Sequence, residues 1–351
     1  MPEPLRLPLA RTLRDASALA DAGLVPREAV PGLDEVAARY AIAVTPAVAA
    51  LVDPGDPLDP VARQYVPTAE ELVRAPEDRD DPIGDRRHAP VPGLVHRHRD
   101  RVLLLLHHSC PVYCRFCFRR EVVGPGGPAL VGEALDAALA YVAAHEEIWE
   151  VVLTGGDPFM VSPARAREVT ARLAAIPHVK VLRWHTRVPV AAPERVSEEF
   201  AAALKCDRAV FVAVHANHPR ELTPEARAAC RRLVAAGHSL VSQSVLLRGV
   251  NDDVATLEAL MRALVETGIK PYYLHHPDLA PGTAHFRLSI EEGRALADAL
   301  RARVSGLGQP TYVLDVPDGY GKVPLGRDVV LDGAVRDLAG ETRPYPPPPT
   351  G

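Results

Sequence analysis

The stretch Arg101-Val-Leu-Leu-Leu-Leu-His-His-Ser-Cys110-Pro-Val-Tyr-Cys114-Arg-Phe-Cys117 decides how this chain is read. Its first half, Arg101 to His108, is a run of aliphatics that reads as a strand buried on both faces, as in a parallel sheet. Its second half gathers three of the chain's five cysteines within eight residues. Soft thiolates packed so closely in a cysteine-poor chain point to a metal ion or cluster rather than to core thiols that are neighbours by chance. A structural zinc or a closed four-iron cluster takes four protein ligands, so three leave one metal position open. Cys206 and Cys230 stand alone and read as buried helix or strand-end residues. An odd count and no signal peptide disfavour a disulfide and lead us to expect a reducing cytoplasm.

Working outward, the chain from Arg101 alternates short β-rich runs with amphipathic helical stretches. Strands are expected over 102–107, 150–154, 179–185, 209–215, 240–246 and 270–275. Helices are expected over 131–145, 163–175, 224–236, 254–267 and 290–304. Six β–α units predict an α/β fold, a parallel sheet with right-handed crossovers closed or nearly closed into a barrel. A doubly wound open sheet is the alternative from pattern alone. A cysteine loop at the C-terminal end of the first strand then sits where barrel enzymes keep their chemistry. Residues 1–99 read as a helical N-terminal extension, with proline-broken periodicity over 12–22 and 33–40. Residues 100–306 read as the core and 307–351 as a short C-terminal segment that ends in Tyr345-Pro-Pro-Pro-Pro-Thr350.

With 351 residues, 47% apolar and 24% charged, this is an ordinary globular chain: one large domain with additions, or two modest ones. A net charge of −5 and the lack of a basic run argue against nucleic acid as a partner, and no apolar segment is long enough to span a bilayer. Positive charge is written almost wholly as arginine; the lysines are Lys180, Lys205, Lys270 and Lys322. Arginine stays protonated and cannot offer the free amine a Schiff base needs, so a retained lysine is a candidate for that chemistry. Lys180, Lys205 and Lys270 fall at strand starts or helix ends and read as solvated charges. Lys322 ends Val316-Pro-Asp-Gly-Tyr-Gly-Lys322, a glycine-bearing turn that alone reads equally well as a surface feature.

After the second strand comes Leu153-Thr-Gly-Gly-Asp-Pro158. Two glycines at a strand's C-terminal end either let backbone approach a ligand or form a tight turn. His215 and Gln243 line or end the fourth and fifth strands. Polar side chains in such apolar runs satisfy each other or face the barrel mouth.

The Cys-x-x-x-Cys-x-x-Cys loop, with Phe116 before its last cysteine, resembles that of radical S-adenosylmethionine enzymes. The resemblance implies a six-stranded partial barrel of TIM type and a [4Fe–4S] cluster on Cys110, Cys114 and Cys117, with S-adenosylmethionine on the open iron. Gly155, Gly156 and Asp157 then resemble the segment that meets the methionine amino group, with His215 and Gln243 at the cofactor. From about Thr45 to Lys322 the chain further resembles the lysine 2,3-aminomutase family. Arg63-Gln-Tyr-Val-Pro-Thr68, Val91-Pro-Gly-Leu94, Phe118-Arg-Arg120, Gln243-Ser-Val-Leu-Leu-Arg-Gly-Val-Asn-Asp252, Tyr272-Tyr-Leu-His-His-Pro-Asp278 and His285-Phe-Arg287 carry the match. By this resemblance Lys322 is the Schiff-base lysine for pyridoxal 5'-phosphate, and Arg97 and Arg101 lie near its phosphate. Arg119 pairs with the substrate carboxylate, and Asp278 and Asp315 hold the distal ammonium of L-lysine. A carboxylate pair is costly without a cation, which argues for a basic substrate over glutamate.

The implied activity is an isomerase that moves the amino group of L-lysine from carbon 2 to carbon 3 through a 5'-deoxyadenosyl radical. An electron donor such as flavodoxin or ferredoxin and a homo-oligomeric assembly are expected. Asp318 and Tyr320 intrude where the family's loop is commonly all glycine, and His275 stands where an aromatic hydroxyl is common. No cysteine follows Cys230, so the family's C-terminal zinc segment is missing and no zinc is expected. Rival readings are an enzyme making β-lysine for elongation factor P, an aminomutase for another basic amino acid, and an iron–sulfur electron carrier or sensor.

Overall fold

The computed structural model describes residues 11–124, 128–326, 329–332, 334–337 and 340–344; the proline-rich end expected at 345–350 lies outside them. One sheet holds nine strands in chain order: β1 (Leu94–His98), β2 (Arg101–His107), β3 (Glu150–Gly155), β4 (Val181–Thr186), β5 (Ala209–His215), β6 (Ser239–Val245), β7 (Ile269–His275), β8 (Thr311–Val316) and β9 (Gly321–Pro324). Strands β2 to β8 run parallel, and β1 and β9 add antiparallel edges. A small separate sheet holds β10 (Val330–Leu331), β11 (Ala334–Arg336) and β12 (Thr342–Pro344).

Short helices α1 (Ala16–Asp21), α2 (Val30–Arg39), α3 (Pro46–Ala49) and α4 (Ala62–Tyr65) form the N-terminal extension. The crossovers carry α5 (Gly132–Ala144), α6 (Pro163–Ala174), α7 (Val188–Ala191), α8 (Glu198–Ala203), α9 (Pro224–Ala235), α10 (Val254–Glu266) and α11 (Ile290–Arg301). Side-chain oxygens of Ser162, Thr223, Asp253 and Ser289 cap α6, α9, α10 and α11 by accepting a free backbone N–H from the first turn. The outward strand faces and the inner helix faces share one core, with Trp184, Phe159 and Phe200 fully buried in it. A second apolar cluster joins the extension to Val112 of the cysteine loop.

The six expected strands are all present, within a two-residue shift at their ends. The sheet also reaches past both expected borders: β1 pairs with β2 across position 99–100, and β8 continues the parallel series beyond 306. Leu94-Val-His-Arg-His98 is half polar, and Gly321-Lys-Val-Pro324 holds both Gly and Pro, so neither carries the apolar run that marks a buried strand. The sheet curls until its edges meet: a Cβ on Gly321 of β9 would lie 3.8 Å from the His98 ring of β1.

Candidate active site

The cysteine loop follows β2 and is tied to the extension. Tyr113 N–H donates to Ala43 O (2.9 Å) and Arg115 N–H to Gln64 O (2.9 Å). Arg115 grips the Glu71 carboxylate through Nε and Nη2 (2.9 and 2.6 Å), and Arg120 pairs with the same Glu71 oxygen. All three charges are buried. Cys110, Cys114 and Cys117 are half-buried free thiols. Burial is the largest influence on each and raises its pKa, that of Cys114 to about 11. Such thiols become thiolates when a metal supplies the charge that desolvation withholds. Among the described residues no three His, Cys, Asp or Glu side chains converge on a single ion; thiols that ligate separate irons of a cluster need not. The donor set fits that cluster.

At the end of β3 the two glycines serve close approach within the chain itself. Gly155 has φ +111°, and a Cβ there would sit 2.5 Å from His107 O. On Gly156 it would sit 2.2 Å from Ser109 O. The Asp157 side chain is engaged within the chain itself. Its carboxylate is saturated by the Thr186 hydroxyl (2.7 Å) and by the N–H groups of Arg187 (2.6 Å), Val188 (3.1 Å) and Phe159 (3.0 Å). Asp157 thus locks the loop after β4 to the loop after β3.

Register sets His215 beside Gln243 across β5 and β6. His215 Nε2 faces Asn217 Oδ1 (3.2 Å), and its ring lies 5.6 Å from Phe116 of the cysteine loop. Burial, then Arg187, keeps His215 well below the usual histidine range. Two groups here escaped the sequence reading. Arg187 is buried beside Cys114 and donates to Tyr65 Oη (2.5 Å), Gln64 Oε1 (2.7 Å) and Glu221 Oε2 (2.6 Å). His185 of β4 is half-buried, with a buried Nε2 that has no hydrogen-bond partner, among the charges of Arg183, Arg119 and Lys322. Both occupy the C-terminal end of a parallel strand, the one signal that could have found them.

The charged residues gather across the mouth. Register places Asp315 of β8 directly opposite Lys322 of β9, and the two form an ion pair. His275 Nδ1 stands 3.4 Å from the same carboxylate. Burial pushes Asp315 up, but His275 and Lys322 outweigh it and hold the group well below the usual carboxylate range. Asp278 lies in the loop after β7, and burial, reinforced by Asp315, raises it to about 7. Arg119 and Arg97 also act on Asp278. Neither is idle: Arg119 clasps Asp85 through Nε and Nη2 (2.9 and 2.7 Å), while Arg97 donates to Ile83 O (2.6 Å) and stands 3.8 Å from Asp85. Arg101, on β2, pairs with Asp100 (3.1 Å). Lys322 Nζ lies 5.6 Å from the centre of the Tyr273 ring. A lysine amine against an aromatic face, with arginines close by, is a donor set that fits pyridoxal phosphate.

A thiol triad on the loop after the first parallel strand of a partial barrel defines a radical S-adenosylmethionine enzyme, and residues 104–261 match the Radical SAM superfamily model. The chain is 40% identical over 305 residues to the L-lysine 2,3-aminomutase of Clostridium subterminale, covering 87% of this chain and 73% of that one. It is 41% identical over 290 residues to the enzyme of that name from Acetoanaerobium sticklandii (83% and 70% covered). It is 35% identical over 297 residues to the glutamate 2,3-aminomutase of Clostridioides difficile (84% and 69% covered). The chain belongs to the lysine 2,3-aminomutase family. It is an isomerase of the radical type, with a [4Fe–4S] cluster, S-adenosylmethionine and pyridoxal phosphate as its cofactors. Among the described residues no helix is long and apolar enough to cross a membrane.

Proposed function

We propose that this enzyme interconverts L-lysine and β-lysine, and that the paired carboxylates Asp278 and Asp315 carry the choice of substrate. Two carboxylates within one another's field, at the mouth that also holds Lys322, suit a ligand whose far end is a cation. A glutamate side chain would add a third negative charge there. Arg119, clasped by Asp85 on its Nε–Nη2 edge, keeps Nη1 for the substrate carboxylate. Cys110, Cys114 and Cys117 hold the cluster, with Gly155, Gly156, His215 and Gln243 around S-adenosylmethionine. Lys322 carries pyridoxal phosphate, and Arg97 and Arg101 attend its phosphate. Bound together, these groups supply the radical that takes hydrogen from the substrate and the conjugated system through which nitrogen moves. The chain's own part is to orient both substrate ends and to keep water from the reacting atoms. An external one-electron donor, a homo-oligomer and a cytoplasmic setting complete the proposal. Anaerobic incubation of the reconstituted enzyme with reductant and lysine, arginine, ornithine or glutamate tests it. Lysine should react best and give β-lysine; a preference for glutamate would overturn the two-carboxylate reading.

A further inference from the structure

The β8–β9 hairpin seats a cation of the chain itself at one of the two carboxylates. Asp315 and Lys322 are direct cross-strand partners, and the Lys322 ammonium pairs with Asp315 Oδ2. A lysine side chain and the distal end of free lysine are the same chemical object, a primary ammonium on a four-carbon stem. We infer that Lys322 fills the distal-ammonium seat at Asp315 until pyridoxal phosphate takes up its amine, so that cofactor loading opens the seat for the substrate cation. This inference rests on Asp278 and Asp315 being the ammonium subsite.

The surrounding charges support it. His275 Nδ1 also stands near Asp315, at 3.4 Å, but Lys322 is the closer cation, in direct ion-pair contact with Oδ2. Arg119 and Arg97 act on neighbouring Asp278, but the turn at 83–85 holds both, through Asp85 and Ile83 O. When Lys322 departs, neither is free to replace it. Condensation moves the charge away in balanced steps. The ammonium gives a proton to solvent, its nitrogen bonds to the cofactor's aldehyde carbon, and the aldehyde oxygen leaves as water. With its nitrogen held in that bond, Lys322 would no longer stand as a free ammonium at Asp315, which would be left half-buried beside Asp278 without its cation. A substrate ammonium restores the balance.

The test uses the full chain carrying its cluster, with and without pyridoxal phosphate, and two probes, L-lysine and its isostere L-norleucine, which lacks the ammonium. Titration calorimetry gives the preference for lysine over norleucine. Wild-type protein without pyridoxal phosphate should show a preference near one; loading the cofactor should raise it roughly tenfold or more, the size of one charge-assisted contact. The cofactor-free Lys322→Met variant should show the raised preference without loading, and adding Asp315→Asn should abolish it. The wild-type comparison needs no variant, so a misfolded Lys322→Met leaves the test intact. If cofactor-free wild type already prefers lysine as strongly as the loaded form, the seat was never blocked and the inference fails while the subsite stands. A preference that survives Asp315→Asn also overturns it. If no form prefers lysine, the subsite reading itself is wrong.

Discussion

Asp278 and Asp315 are chemically identical groups, and their non-covalent surroundings set them apart. Asp315 has Lys322 and His275 in contact and is held ionised, whereas Asp278 has burial and a like charge and stays protonated to about pH 7. The folded-state pKa of Asp278 lies above the unfolded value of about 3.9, so the folded chain binds the extra proton between the two. Ligand-free stability should therefore fall as pH rises from about 4 to about 7, from this group alone. A cation arriving at the pair favours the ionised form, so lysine binding near pH 6 to 7 should expel a proton and tighten as pH rises. The check is the binding enthalpy of lysine in two buffers of different ionisation heat: wild type should show proton release and Asp278→Asn should show less. Equal release in both proteins would clear Asp278 of this role.

The cysteine loop owes its shape to elements far from it in sequence. Glu71, in the short turn at 69–72, is the single buried anion between Arg115 and Arg120, and Tyr113 and Arg115 bond to backbone of the extension. Removing Glu71 strands two guanidinium groups in the core, a change that costs about 3–5 kcal/mol where a buried pair is broken. Glu71→Ala should therefore lower the melting temperature by several degrees and reduce iron per chain, with Glu71→Gln intermediate. Full iron content and an unchanged melting curve would show that the loop holds itself. None of this was legible in the sequence. The thiols were, because three cysteines in eight residues need no third dimension. Lys322 was a candidate because the chain writes its positive charge as arginine, though only family resemblance lifted it above a surface turn. Glu71, Asp85 and Arg187 were not, since each gains meaning from partners 34 to 49 positions away. The same holds for strands: apolar runs announced the six central ones, while the mixed edge strands β1 and β9 show only once their neighbours are placed.

Across the whole molecule, the barrel is sealed by packing where its hydrogen-bonded ladder ends. The turn before β1 lies against the hairpin that carries Lys322. A Cβ on Gly84 would come within 2.7 Å of the Asp318 backbone, one on Gly319 within 2.6 Å of His88, and Arg79 stands 4.0 Å from the Asp318 carboxylate. Asp318 itself adopts φ 64°, the left-handed region that a non-glycine residue enters at a cost, so the hairpin tip depends on this contact to keep its form. The same turn holds Arg119 and Arg97, so one segment of the extension fixes the lysine hairpin and both arginines at once. The cluster loop is braced separately, through Glu71. Damage at the seam should thus divide the two cofactors. Gly84 has φ +73° and no room for a methyl group against rigid backbone, so Gly84→Ala must push the hairpin outward. The variant should bind pyridoxal phosphate several-fold more weakly and lose borohydride labelling of Lys322, while iron per chain stays near the wild-type value. Parallel measurement of iron and pyridoxal phosphate in the purified variant decides the matter. Equal loss of both would mean that the two halves of the site fold as one unit, and wild-type content of both would mean that the seam bears no strain.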